Sequence, residues 1–458
     1  MIDKKYDLTE GPIFNKLVKL SMPIMATSLM QTAHNLTNMF WLGRIDGGGS
    51  YVAAAGLAGQ FLWLSMAFIF LCRIGVEIGV SQNMGKGDID TAKSYSQNGF
   101  ILSVAMSLVY ASTVFIFRHQ LIGFFSLDDA EVAHAAGQYL GLVAFALPFM
   151  FTHFLLTGVY GGCGNTKIPF YINAASILLN IILNPILIFG FGLGLYGAGL
   201  SIVTAAIFNL SVKIWAMTMY KGRPFKSYTI FTKISWDKIL QILKWGVPVG
   251  MESFFFTGLF LVVSRLVAQF GVAAVAGQNI GIQVESSAFM IGGGFASALT
   301  AFIGQNYGAK KWGRIRATQR IATIFMASYG FFIAVVLFVF AEQLISLFLV
   351  DPEAIAIGGS YLRIIALTQV LFCMEGVAVG SFRGRGLTTK PTIVSISSNI
   401  LRVIVTYALA ATALGINGVW VGIAIAMTTK SIWLLVWLRL NMRKMPKTDG
   451  YVEKAVNI

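Results

Sequence analysis

Twelve apolar stretches, each long enough to cross a bilayer as a helix, run through this sequence near residues 17–42, 55–81, 97–117, 135–159, 168–190, 195–219, 240–264, 274–304, 321–340, 360–381, 391–414 and 417–438. Short polar or glycine-rich breaks separate them. Such a chain has no polar surface to offer water: 56% of its 458 residues are hydrophobic, 12% are charged, and the mean hydropathy is +0.74. The opening MIDKKYDLTEGP is polar and the first run has full span length, so no cleavable signal peptide is expected.

An even number of crossings puts both termini on one side, and the basic residues say which. The N-terminal arm, the even-numbered connections with the run ends beside them, and the C-terminal tail hold 26 of the 34 Lys and Arg. The opposite side holds Arg44, Arg118, Arg265 and Arg363, and four more lie inside runs: Arg73, Lys213, Arg402 and Lys430. By the positive-inside rule both termini are expected in the cytoplasm of a multi-pass plasma-membrane protein. The net charge of +15 is scattered between apolar runs instead of being gathered on one face, which argues against nucleic acid as a partner.

The same unit occurs twice at an offset of about 222 residues. KLSMP (19–23) matches KWGVP (244–248), SQNMGKG (81–87) matches GQNYGAK (304–310), and LDDAEV (127–132) matches VDPEAI (350–355). GNTKIP (164–169) answers GLTTKP (386–391), and LYGAG (195–199) answers INGVW (416–420). Six runs per copy give both copies the same orientation, related by a pseudo-two-fold axis along the membrane normal. The expected architecture is therefore an all-α polytopic membrane protein of twelve transmembrane helices in two six-helix lobes. Its parts would be a first lobe over 1–220, a cytoplasmic linker over 221–238, a second lobe over 239–445 and a tail over 446–458. A cleft between such lobes is where transporter substrates bind.

Buried charge marks the candidate site. Glu252 stands eight residues beyond Lys244 and Glu375 eight before Arg383, so each lies about 12 Å along a helix from a cationic foot. A carboxylate at that depth is expensive. Two at matched depth can share a proton or collect a cation; the alternative is that each is a structural acid satisfied by Arg402 or the backbone. Glu285, midway along the eighth run, either joins them or anchors Gln283 and neighbouring hydroxyls. Arg402 is the natural countercharge, as a structural salt bridge or a gate. Arg73 and Glu77, four apart, share a helix face as an internal ion pair with a possible gating use. Asn38, Asn180 and Asn184, with Asn35 and His34 beside them, would line the first lobe as polar packing or substrate contacts. The triplet Phe254–Phe256 surrounds its helix and reads mainly as core or lipid contact.

No enzyme is expected, because histidines at 34, 119, 134 and 153 form no cluster of catalytic chemistry within the bilayer. Cys72, Cys163 and Cys373 fall in or beside apolar runs and have no metal-ligand spacing, so neither disulfides nor a metal cluster is expected, and no cofactor is expected either.

The motifs TEGPIFNKLVKLSMPI, HNLTNMFWLG (34–43), the repeated QNxG, QVESSAF (283–289), GSFRGRG (380–386) and NIILNPILIFGFGLG (180–194) together resemble the multidrug and toxic compound extrusion antiporters. That resemblance covers essentially the whole chain. It implies twelve helices in two lobes and export of organic, cationic or amphipathic compounds in exchange for inward-moving Na⁺ or H⁺. Membrane lipid is the expected surroundings and a monomer the expected working unit. The chain departs from the family pattern in four places. Asn38 and Asn184 stand where an Asp is usual in the first and fifth helices, and Glu252 and Glu375 each lie about one turn closer to the cytoplasm than the usual acids. The expectation is that the second lobe holds the coupling ion and the first offers much of the substrate surface. The alternative within the same superfold is a flippase for lipid-linked precursors, which usually carries several cationic residues in its cavity.

Overall fold

The computed structural model describes residues 6–45, 48–125, 130–230 and 232–446. The tail from 447 onward, residues 127–129 of the first LDDAEV copy and the side chain of Asn35 lie outside the described residues. Sixteen α-helices follow one another: α1 (Ile13–Leu42), α2 (Gly48–Lys86), α3 (Ile89–Ile116), α4 (Arg118–Gly123), α5 (Ala130–Ala144), α6 (Leu147–Gly162), α7 (Lys167–Pro185), α8 (Gly194–Thr218), α9 (Trp236–Ala268), α10 (Val272–Gly308), α11 (Trp312–Val339), α12 (Ala341–Ser346), α13 (Pro352–Ala366), α14 (Gln369–Gly384), α15 (Thr389–Ala410) and α16 (Ile416–Arg443). A π-helical turn, Ile186–Gly190, continues α7 past Pro185.

Among the described residues nine helices are long and apolar enough to span a membrane. Two more crossings are bent pairs: α5 with α6 at 49°, and α13 with α14 at 55°. The remaining crossing is α1, whose apolar run is interrupted by Gln31, His34, Asn35 and Asn38. The sequence repeat is thus repeated in space. In each copy a short helix follows the third crossing, and the fourth crossing is broken.

The chain forms two compact units, one of Met1–Asp7 with Met22–Gly250 and one of Leu8–Ser21 with Met251–Ile458. The connection over 221–238 and the first part of α9 group with the first unit, whereas Leu8–Ser21 groups with the second. Both long helices that open a repeat change unit beside their proline, α1 next to Pro23 and α9 next to Pro248. A proline there has no N–H for the preceding turn, which locally weakens the helix ladder.

Polar side chains hold both leading segments. In the second unit Arg314, buried on α11, donates through Nε to Leu8 O (3.2 Å), through Nη1 to Gly11 O (2.8 Å) and through Nη2 to Glu10 O (2.9 Å). The second QNxG copy adds Gln305, whose Oε1 accepts from Leu8 N at 3.0 Å, and Asn306, which donates to Leu8 O at 3.2 Å. In the first unit Gln97 donates to Thr229 O and Asn98 accepts from Ser235 N at 2.7 Å. Asp88 caps α3 by accepting from Thr91 N–H at 3.0 Å, and that bond holds its carboxyl below the usual carboxylate range.

Small residues set the helix packing, as expected where burial from lipid supplies little drive. Gly376, Gly380 and Gly384 form one face of α14 against the carbonyls of α10; a Cβ at Gly380 would sit 2.5 Å from Ala296 O. On α6, Gly158 and Gly162 meet α2 in the same way, at Arg73 and at Glu77 O.

Candidate functional site

In the second unit α14 is held flush on α10, and this fixes where its charges project. Glu375 Oε1 lies 2.8 Å from Lys430 Nζ of α16, and its Oε2 accepts from Ser431 Oγ at 3.0 Å. Glu252 on α9 accepts from Arg383 Nη2 at 3.1 Å. Lys430 also interacts electrostatically with Glu252 and with Arg383, which joins the two pairs into one set. The matched depth of the two acids predicts a carboxylate pair; the structure places a built-in cation on each, so the set has four charges and no net charge. A proton or Na⁺ reaching these carboxylates would have to compete with an ammonium or a guanidinium already there.

Glu285 lies in a second cluster. Its Oε2 accepts from Tyr361 OH at 2.6 Å and its Oε1 from Gln369 Nε2 at 3.2 Å, with Arg402 of α15 within electrostatic reach. Tyr361 belongs to α13 and Gln369 opens α14, so this carboxylate grips both sides of the 55° bend. Gln283, one alternative partner, lies on the same helix; among the described residues the side chains that anchor Glu285 are Tyr361 and Gln369, from other helices.

The first unit has a neutral counterpart. Asn38 Nδ2 lies 3.1 Å from His34 Nε2, and Asn184 donates to Asn38 Oδ1 at 2.5 Å. Ser201 of α8 donates to Asn184 Oδ1 at 2.8 Å and accepts from Asn180 Nδ2 at 3.1 Å. Four of the predicted residues are thereby tied into one chain of hydrogen bonds through a serine. Asn180 and Asn184 are buried, whereas His34 and Asn38 are partly accessible. Such a network can hydrogen-bond an organic molecule but offers a cation only uncharged carbonyl oxygens.

Arg73 and Glu77 meet at 4.0 Å across one turn of α2, and Gly158 and Gly161 of α6 leave room for their side chains. Among the described residues no group of three or more His, Cys, Asp or Glu is arranged to hold a metal ion, and the three cysteines are free and buried.

Comparison with known proteins supplies the family. The MatE family model matches residues 23–186 and again 248–408. The chain belongs to the MatE family. It is 26% identical over 445 residues to a probable multidrug resistance protein, YpnP, of Bacillus subtilis, covering 97% of this chain and 99% of that one. It is 25% identical over 421 residues to a probable multidrug resistance protein, NorM, of Thermotoga maritima, covering 90% and 89%. Among solved structures, MATE in the straight conformation superposes with a TM-score of 0.88 at 22% identity, covering 98% of this chain and 100% of that chain. The outward-facing form of a multidrug resistance MATE family transporter superposes at 0.89 and 21%, with the same coverage. At those identities the structures show that the fold is the MATE fold. The two matched segments fall one in each sequence repeat.

Several residues of this MatE chain that are not among the expected site residues complete these clusters. Lys430, Ser431, Tyr361, Gln369 and Ser201 each come from a helix other than that of the residue they satisfy. For Lys430 a signal was present, since a lone lysine inside an apolar run needs a buried counter-ion. The hydroxyls and the amide gave none, because such residues are common in membrane helices without ionic partners.

Proposed function

We propose that the chain is a secondary active multidrug exporter that exchanges organic, cationic or amphipathic, compounds for inward-moving Na⁺ or H⁺ by alternating access. The observation that carries this reading is the match of nearly the full chain to proteins named for multidrug resistance, together with a double match to the MatE model. The coupling ion would act at Glu252 and Glu375, displacing Lys430 or Arg383, with Glu285 and Arg402 relaying the change to the bend between α13 and α14. Asn38, Asn180, Asn184 and His34 would contact substrate, and Arg73 with Glu77 would serve as a gate. The flippase alternative gains little support, since the basic residues of the second-unit set are paired with carboxylates instead of being left for a phosphate.

Purified protein in liposomes loaded with ethidium tests the reading. Ethidium should leave only when an inward Na⁺ gradient or an inward proton gradient is imposed, and one of the two should suffice. Transport of a lipid-linked sugar in the absence of dye efflux would favour the flippase.

The charge asymmetry supports a plasma-membrane protein with both termini in the cytoplasm. With the native cysteines buried, Lys226→Cys should resist an impermeant thiol reagent applied to intact cells, and Phe124→Cys, between α4 and α5, should react. Labelling of the former alone would reverse the topology.

A further inference from the structure

Among the described residues, Lys213 is the one ionisable group buried in the α7–α8 seam of the first unit that the proposed cycle does not use. It is fully buried near the end of α8, inside a helix apolar enough to span a membrane. Its Nζ donates to Thr157 Oγ1 at 2.8 Å, to Asn173 Oδ1 at 2.9 Å and to His153 O at 3.2 Å, with His153 Nδ1 at 3.4 Å. No carboxylate is among these partners. The titratable or charged groups facing it are His153 from α6 and, at longer range, Arg73 from α2, which is itself paired with Glu77.

We propose that Lys213 is a proton-binding site, alternating between ammonium and amine, and that it communicates with the Asn38–Asn184 network through the α7–α8 seam.

The cage satisfies both states. An ammonium spends its three N–H groups on Thr157 Oγ1, Asn173 Oδ1 and His153 O, while the Thr157 hydroxyl donates to His153 O at 2.9 Å. After loss of one proton, two N–H groups remain for Asn173 Oδ1 and His153 O. The Thr157 hydroxyl then turns to donate to the amine lone pair, and no polar atom of the cage loses its partner. An ion pair with a fixed carboxylate would instead favour the ammonium alone.

The seam supplies the link. Asn173, Asn180 and Asn184 recur at intervals of seven and four, one face of α7. Along that face Asn173 contacts Lys213 and Asn209, Ser176 donates to Ala205 O at 2.9 Å, and Asn180 and Asn184 both meet Ser201. From Asn173 to Asn184 the helix rises about 16 Å. Among the described residues the buried acceptors Asn180 Oδ1 and Asn209 Oδ1 have no hydrogen-bond partner.

The site can be titrated without any substrate. The full-length protein, carrying ¹⁵N at lysine Nζ, is followed by NMR in detergent between about pH 5 and 9, where exposed lysines stay charged. One signal should pass from ammonium to amine and should vanish in Lys213→Arg; should that variant fail to fold, Thr157→Val should shift the same signal. The proposal is overturned if no lysine changes state across this range, or if the switching signal is untouched by both substitutions. The communication with Asn38 and Asn184 rests on the exporter reading and has its own readout, tetraphenylphosphonium affinity. Like charges about 16 Å apart at an effective dielectric of about 20 should make binding about fivefold tighter at high pH, a dependence that Lys213→Met should abolish. A wild type that binds no tetraphenylphosphonium would remove the exporter reading and leave the titration to decide the proton site.

Discussion

Glu375→Gln should reduce ion-driven efflux to the level of protein-free liposomes and destabilise the second unit. Glu375 is the least accessible acid of the four-charge set, with 8% of its side chain exposed, and Lys430 stands 2.8 Å from it. Removing the carboxylate leaves that ammonium without its closest counter-ion. For a buried pair this costs about 3–5 kcal/mol, and the 20% exposure of Lys430 puts the expected loss at the lower end, about 3 kcal/mol. The two effects can be separated. Glu375→Gln with Lys430→Met removes both charges and should recover most of the thermal stability while efflux stays lost. Additive destabilisation in the double variant, beyond either single one, would show that the two side chains do not interact. Glu252→Gln should also lose ion-driven efflux, and adding it to Glu375→Gln should make transport no worse if the acids act as one set.

Asn184→Ala should weaken binding of an organic cation by about tenfold and change the range of dyes transported, while efflux continues to depend on the ion gradient. Asn184 is the hub of the first-unit network, donating to Asn38 Oδ1 and accepting from Ser201. Its loss removes the donor from the partly buried Asn38 Oδ1 and one acceptor from Ser201, which keeps Ala198 O, an effect of about 0.5–1.5 kcal/mol per hydrogen bond that reaches the tenfold expected in affinity. The amide neither takes up nor releases a proton, so gradient dependence does not follow from it. Ligand titration in detergent measures the first effect and efflux under stepped gradients the second. Loss of gradient dependence in Asn184→Ala, with Glu375→Gln unaffected, would exchange the roles of the two units.

The twelve crossings and the repeat were legible in the sequence because a bilayer imposes length and apolarity on every span, and because five short motifs recur in order. The bends were not. α5 and α6 break near Pro148, but α13 and α14 break at Leu367–Thr368 with no proline, and apolar character runs straight through both. The handover of α1 and α9 between units was equally hidden, since KLSMP and KWGVP announce a weak point in a helix without saying what packs on either side. At the site, depth was readable and partnership was not. Counting residues from Lys244 and Arg383 put two acids at one level, yet the cation on Glu375 comes from α16, and the groups on Glu285 come from two other helices. Lys213 shows the same limit: its three acceptors lie on α6 and α7, and only folding brings them to one nitrogen.

If the second-unit charges couple the ion to transport, they are not needed to carry the substrate. Substrate counterflow in proteoliposomes tests this directly, because dye-for-dye exchange requires alternating access but no ion gradient. The Glu375→Gln, Lys430→Met double variant is predicted to exchange dye across the membrane as wild type does while failing to expel it under an inward Na⁺ or proton gradient. Gradient-driven expulsion at the wild-type rate in that variant would show that these charges do not couple the ion.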